Sequence, residues 1–223
     1  MSGASGIWAV VPVKELIGAK LRLAGAMTPD QRRALCTAML EDVLTALAGV
    51  PSLAGILVVT VEPVAIALAA RHGAGVRTEG ARDGHTGAVT ATARFLAASN
   101  CAGMLTVPAD IPAITSTEVA ATLAAHRPAP SFTIVPAHDD LGSNAILCSP
   151  PDAVNLRFGE NSFFPHLHAA RQSGIEPTIV RHAGIGMDID HPVDIAAFLR
   201  MQPSRRTRAR ESLERLGLDH RFG

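Results

Sequence analysis

Short, almost wholly apolar runs alternate along this chain with longer stretches whose apolar residues return every three or four positions. That alternation admits few architectures. Trp8 to Val13 (WAVVPV), Ile56 to Thr60 (ILVVT) and Met104 to Val107 (MLTV) lack a polar face, so each suits a strand covered on both sides, as in a parallel sheet. Helical stretches separate them. Thr28-Pro29-Asp30-Gln31 offers an N-cap, a proline at the first helical position and the glutamine of a capping box. Leu35, Met39, Val43 and Leu47 then mark one apolar face until Gly49-Val50-Pro51 stops the helix. Further helices are expected over Pro63 to His72, ended by Gly73, over Thr86 to Ala98, and over Thr115 to His126 with Ser116 or Thr117 as cap; a short strand is expected around Val76. This order predicts one Rossmann-like α/β domain over residues 1–202, built on a mostly parallel, doubly wound sheet.

The rhythm changes at Ser131. Ser131 to Pro136 and Ala145 to Cys148 follow each other with no helix between, which predicts a small antiparallel section. Ser162 to Gln172 reads as a helix that tolerates Pro165 in its first turn. A last strand is expected over Thr178 to His182 and a closing helix over Pro192 to Met201. Residues 203–223 form a charged tail in which Arg205, Arg206, Arg208 and Arg210 precede Glu211 and Glu214; it reads as a solvated helix or a frayed end, with a subunit contact as the alternative.

Charge and composition narrow the function classes. The 20 basic and 20 acidic side chains cancel, which argues against a nucleic-acid binder working by bulk phosphate attraction. With no Tyr and one Trp, stacking platforms for bases are scarce as well. Cys36, Cys101 and Cys148 are far apart inside apolar runs and read as buried hydrophobes. The first residues lack a basic segment of the secretory kind, and the longest greasy stretch, Ile56 to Ala70, contains Glu62 and Pro63 and is too short for a bilayer. A cytoplasmic protein with neither nucleic-acid nor membrane partners is expected.

In open α/β sheets ligands bind beyond the carboxyl ends of the strands, and polar residues gather after four of these runs. Lys14, Lys20 and Arg22 follow the first, with Gly18 allowing close approach of the backbone. Lys14 and Lys20 are the only two lysines in a chain that otherwise uses arginine, and an ammonium is a common point charge for phosphate. Asp110 stands between Pro108 and Pro112 after MLTV, and Asp188-Ile189-Asp190 follows the late strand. Cations at one strand end and carboxylates at two others suggest phosphates bridged to a divalent ion, and oxygen ligands suit Mg²⁺. Blander roles compete: Asp190 as cap of the helix at Pro192, and Asp110 as the end of a strand. The fourth cluster is Gly142-Ser143-Asn144 with Arg157 to Ser162, where Gly159 bares its backbone and Ser162 can cap a helix whose free N–H groups suit an anion. His166 and His168 read as packing or surface residues. Neither a dinucleotide fingerprint after the first strand nor a P-loop is present.

Five stretches in order, WAVVPVKELIGAKLRL (8–23), LTVPADIPAIT (105–115), DLGSNAILC (140–148), RFGENSF (157–163) and MDIDHPVDI (187–195), resemble the guanylyltransferases of deazaflavin coenzyme F-420 biosynthesis. The resemblance covers roughly residues 7–200. It implies a nucleotide-diphospho-sugar transferase (GT-A-like) fold and transfer of GMP from GTP to the phosphate of 3-phospho-D-glycerate, phosphoenolpyruvate or 2-phospho-L-lactate, the first two favoured, with release of pyrophosphate. It implies that Lys14, Lys20 and Arg22 contact the GTP phosphates, with Lys14, Lys20 and Asp110 the catalytic residues. Asp110 with Asp188 or Asp190 would hold Mg²⁺, and Ser143, Gly159 and Ser162 would bind the acid. Relatives carry a Gly-Leu-Asn-x-Ala-like segment near the base or ribose where this chain reads Gly84-His85-Thr86-Gly87-Ala88, so that role falls to Gly84 and Thr86. Molybdopterin and sugar-phosphate nucleotidyltransferases are rivals, but they carry a Leu-Ala-Gly-Gly-like signature where this chain has VPVKELIGAK. A non-catalytic nucleotide-binding module would need the cations but not the carboxylates. The expected partners are GTP and the small acid, with a homodimer left open.

Overall fold

The computed structural model describes residues 5–16, 18–201 and 205–218; residues 203–204 and 219–223 of the expected tail lie outside these. In chain order the elements are β1 (Ile7–Pro12), α1 (Pro29–Ala48), β2 (Leu53–Val59), α2 (Pro63–Arg71), β3 (Gly75–Arg77), α3 (Gly84–Ala98), β4 (Gly103–Thr106) and α4 (Ser116–Ala124). They continue with β5 (Ser131–Pro136), β6 (Ser143–Ser149), α5 (Phe163–Gln172), β7 (Thr178–Ile179), α6 (Pro192–Arg200) and α7 (Arg208–Arg215). The described strands form one sheet in the order β3-β2-β1-β4-β6-β5-β7. β1 runs parallel to β2 and β4, and β2 to β3. β6 runs antiparallel to both β4 and β5, while β7 returns parallel to β5. The expected antiparallel pair is thus β5 with β6, inserted into an otherwise parallel sheet.

The lack of a polar face on β1 has a direct cause. Ala9 and Val11 pack into a core shared with α1, while Val10 packs on the opposite side with α3, all fully buried. Burying each such valine contributes about 1.5 to 3 kcal/mol. The chain leaves β1 toward β2 on one side and reaches β4 on the other, so a crevice opens at the carboxyl ends of β1 and β4.

Helix starts follow local chemistry with three corrections. Thr28, Pro29 and Gln31 form the expected capping box on α1. On α4 the cap is Thr115, which exchanges hydrogen bonds with Glu118; Ser116 instead donates to Ala46 O. α3 begins at Gly84, two residues before the expected Thr86. Ser162 precedes α5 without capping it by its side chain, for its hydroxyl is turned elsewhere. The last strand is also shorter than expected, because β7 is an edge strand and Arg181 leaves it to pair with Asp140.

Within the described part of the tail, Arg208–Arg215 is helical, but one face of this helix is buried rather than solvated. Ala209 and Leu213 are fully buried in the core that contains α1, and Asp42 on α1 accepts the N–H groups of Arg208 (2.8 Å) and Ala209 (2.9 Å). Buried Arg210 donates to the carbonyls of Phe198, Leu199 and Met201 at the end of α6. No helix among the described residues is long and apolar enough to cross a membrane.

Candidate active site

The loop after β1 is tied down before any of its cations is placed. Buried Glu62 accepts the N–H of Leu16 (3.0 Å), and buried Arg32 donates to the carbonyls of Ala19 (3.1 Å) and Met27 (2.9 Å). These bonds hold a turn in which Gly18 (φ 80°) and then Lys20 (φ 53°) adopt left-handed backbone. That conformation is costly for lysine, and its result is to turn the side chain inward. Lys20 Nζ lies 2.5 Å from Asp110 Oδ2 and 2.5 Å from Asp190 Oδ1, with the lysine side chain 10% exposed. Arg22 reaches Asp190 (3.4 Å) and Glu160 (3.3 Å) from the open side. Residues 14, 20, 22, 110 and 190 meet, as the sequence predicts, at the crevice between β1 and β4. Lys14 lines the same cleft and has no ion-pair partner among the described residues.

Electrostatics explain why Asp190 is available. Burial alone would lower the basicity of Lys20, but Asp110 and Asp190 outweigh it and hold the ammonium above its usual value. Burial alone would push Asp190 up; Lys20 and Arg22 overcome this and hold its carboxyl below the usual range. The competing role, capping α6, belongs to Asp194, whose carboxylate accepts the N–H groups of Asp190 (2.9 Å) and His191 (2.7 Å). Asp188 differs. Burial raises its pKa, assisted by nearby Asp110 and Asp190. Its partner is Asn144, which donates to it at 2.9 Å and to Ile185 O at 3.0 Å. His138 approaches Asp188 at 3.9 Å.

The opposite wall of the cleft, whose cavity is about 710 Å³, carries Ser143, Gly159 and Ser162. Ser162 Oγ donates to Ser143 Oγ (3.3 Å), so the two hydroxyls predicted 19 residues apart are adjacent. His166 Nδ1 lies 2.9 Å from Ser143 Oγ, and Nε2 accepts the N–H of Arg157 at 3.1 Å. Behind them Phe158 packs between His85, tilted at 44°, and His166, edge-to-face, with ring centroids 4.3 and 5.0 Å apart. Burial pushes both histidines down to about 4, so both rings are neutral at pH 7. Thr86 uses its hydroxyl on the Phe158 backbone, accepting from its N–H (3.0 Å) and donating to its carbonyl (3.3 Å). It anchors the loop before α5 while lining the cleft with Gly84, whose φ of 72° favours glycine.

Oxygen is the only donor type that Asp110, Asp188 and Asp190 offer, and an ammonium already bridges two of them. Among the described residues no three His, Cys, Asp or Glu side chains cluster tightly enough to hold a metal alone. Two carboxylates completed by phosphate oxygens and water are what Mg²⁺ commonly uses, so the residues present fit that ion. The sequence carries no local signal for the supporting roles of Arg32, Glu62 and His166, and it offers Asn144 only as part of the Gly142-Ser143-Asn144 cluster. Glu62 and His166 stand out only as polar residues among apolar neighbours, whereas Arg32 lies in the polar run Asp30-Gln31-Arg32-Arg33.

With this geometry in place, comparison with known proteins is decisive. The family model described as "Guanylyl transferase CofC like" matches residues 7–223. The chain belongs to this family. The match runs through α7, so the tail that the sequence resemblance left outside is part of the family's length. A phosphoenolpyruvate guanylyltransferase of Rubrobacter xylanophilus is 37% identical over 191 residues, 85% of this chain and 92% of that one. A 3-phospho-D-glycerate guanylyltransferase of Colwellia psychrerythraea is 31% identical over 186 residues, 83% and 88% of the two chains. Among solved structures, a Desulfovibrio desulfuricans protein provisionally described as a nucleotide-diphospho-sugar transferase superposes with a TM-score of 0.77 over 98% of both chains at 18% identity, which shows the shared fold. The protein is a nucleotidyltransferase.

Proposed function

We propose that this CofC-like protein transfers GMP from GTP to the phosphate of a three-carbon phospho-acid and releases pyrophosphate, as a cytoplasmic step of coenzyme F-420 biosynthesis. Phosphoenolpyruvate and 3-phospho-D-glycerate are favoured over 2-phospho-L-lactate, because they are the substrates named for the relatives above. The observation that carries this reading is Lys20 clasped between Asp110 and Asp190, two carboxylates lining a cleft whose far wall is the Ser143–Ser162 pair. Cations for a triphosphate and neutral donors for a small acid face each other there.

In this reading Lys14, Lys20 and Arg22 bind the triphosphate, Gly84 and Thr86 border the nucleoside, and Ser143, Gly159 and Ser162 orient the acid. Asp110 with Asp188 or Asp190 would hold Mg²⁺, which supplies charge neutralisation at the phosphates. A phosphate oxygen of the acid attacks the α-phosphorus of GTP in line with departing pyrophosphate, and that oxygen is already anionic, so the site needs no general base. What the protein contributes is alignment and preorganised charge.

Incubation with GTP, Mg²⁺ and each acid in turn, followed through inorganic pyrophosphate with a downstream transferase to trap a labile product, is the direct test. Phosphoenolpyruvate or 3-phospho-D-glycerate is expected to release pyrophosphate with GTP and far less with ATP or CTP. Pyrophosphate from none of the three acids would remove the proposal.

A further inference from the structure

Ser143 and Ser162 are hydroxyls, and a hydroxyl at a binding site can offer either a proton or a lone pair. Which one it presents decides whether the site favours an anion. Nothing in the serines themselves settles that choice; their neighbours do. The main-chain N–H of Arg157 can only donate, and it points at His166 Nε2 from 3.1 Å. Nε2 therefore accepts and bears no proton. A neutral imidazole must then carry its proton on Nδ1, the atom 2.9 Å from Ser143 Oγ. Ser143 Oγ receives that N–H and also the hydroxyl of Ser162 at 3.3 Å. Both acceptor positions of the Ser143 oxygen are filled, and its own hydrogen is left to point into the cleft that the residue lines.

We propose that His166 is a positioning residue for the acid substrate: anchored by the Arg157 N–H, it presents Nδ1–H to Ser143 and thereby fixes the Ser143 hydroxyl as a donor toward the substrate's anionic oxygen. His166 touches no substrate itself. Its ring is 1% exposed and sits behind Ser143, with Phe158 edge-on against it. The arrangement gives the acid pocket an oriented donor without a positive charge, while the cations stay on the opposite wall with the triphosphate. The inference rests on the acid-site reading given above and adds to it the group that sets the hydroxyl's direction.

Two substitutions separate orientation from scaffolding. In His166→Asn the amide nitrogen falls near the Nδ1 position and keeps a donor for Ser143 while losing the acceptor for Arg157. In His166→Gln the amide falls near Nε2, keeping the Arg157 acceptor and losing the donor for Ser143. Steady-state kinetics with phosphoenolpyruvate and with 3-phospho-D-glycerate should show His166→Gln raising KM for the acid about tenfold, the worth of one hydrogen bond. KM for GTP should hardly change, and His166→Asn should stay closer to the wild type. In a Ser143→Ala background the difference between the two variants should vanish. Equal losses in the two variants, or a difference that survives Ser143→Ala, would overturn the proposal. A substrate-free measurement stands beside these: ¹⁵N NMR of the imidazole in the wild-type protein should report a neutral ring protonated at Nδ1, and a ring protonated at Nε2 refutes the relay whatever the acid proves to be. Failure of the acid-site reading looks different, with Ser143→Ala leaving the acid KM unchanged while the Nδ1–H tautomer is still observed.

Discussion

Lys20 concentrates the physics of the site in one residue. It sits on left-handed backbone, is nearly buried, and touches two carboxylates from distant parts of the chain at 2.5 Å each. Its ammonium occupies the place between Asp110 and Asp190 where a divalent ion would compete for the same oxygens. Lys20→Met removes the charge and keeps the apolar stem. Breaking a fully buried pair costs about 3 to 5 kcal/mol, and because Asp110 and Asp190 are 29% and 38% exposed we discount this to about 1 to 2 kcal/mol. The expected outcome in a thermal melt is a lowered midpoint that millimolar Mg²⁺ largely restores in Lys20→Met, whereas the same Mg²⁺ barely moves the wild type in the absence of nucleotide. Equal Mg²⁺ shifts in the two proteins would show that lysine and metal do not share those carboxylates.

At the level of elements, the docking of α7 depends on Asp42 of α1, whose two oxygens take the N–H groups of Arg208 and Ala209. Asp42→Ala leaves both donors unpaired in a buried seam. At about 1 to 3 kcal/mol for each buried group left unsatisfied, partly relieved by fraying of α7, a loss of about 2 to 4 kcal/mol is expected in urea unfolding. Limited proteolysis should then cut the tail first. Burial also pushes the Asp42 carboxyl up to about 6. An acid whose pKa is raised by folding adds stability that is complete below the unfolded value near 4 and is lost as pH rises through about 6. The stability difference between wild type and Asp42→Asn should therefore shift in favour of the wild type on going from pH 7 to pH 4; a flat difference would show that the two N–H bonds cancel the desolvation. The same element marks the limit of sequence reading. β1, β2 and β4 announce themselves because both faces are apolar apart from Thr106 at the end of β4, and the α1 cap is spelled out by adjacent residues. α7 shows only Ala209 and Leu213 as an apolar pair inside a run of charges, and its partner lies some 170 residues away on α1. Thr115 is likewise hidden by two neighbours of similar chemistry, with only Glu118 to identify it. For the site, motif residues at strand ends were legible and most supports were not: Arg32, Glu62 and His166 act through contacts that only the folded chain creates, and Asn144, though legible within the Gly142-Ser143-Asn144 cluster, meets Asp188 only in the folded chain.

Across the whole molecule the cleft joins two halves that the sheet order keeps apart. The cation loop belongs to the parallel strands β3-β2-β1, the serine wall to β6 and the approach to α5, and Asp110 stands at the end of β4 between them. A nucleotide gripped from both sides should therefore stabilise the fold as one unit, and the metal-dependent part of that gain should pass through Asp110. Occupancy at about 100 times Kd adds about 2.7 kcal/mol. For a domain of this size that corresponds to about 5 to 10 °C in Tm. Mg²⁺ with GTP should produce a shift of that order in the wild type. Asp110→Asn keeps the size of the side chain and one acceptor oxygen but gives up its charge, so it should retain the smaller shift produced by GTP with chelator and lose most of the increment from Mg²⁺, alongside a fall in turnover of orders of magnitude. If the full Mg²⁺ increment persists in Asp110→Asn, the ion is held elsewhere, and Asp188 with Asp190, the pair steadied by Asn144 and Lys20, becomes the set to substitute next.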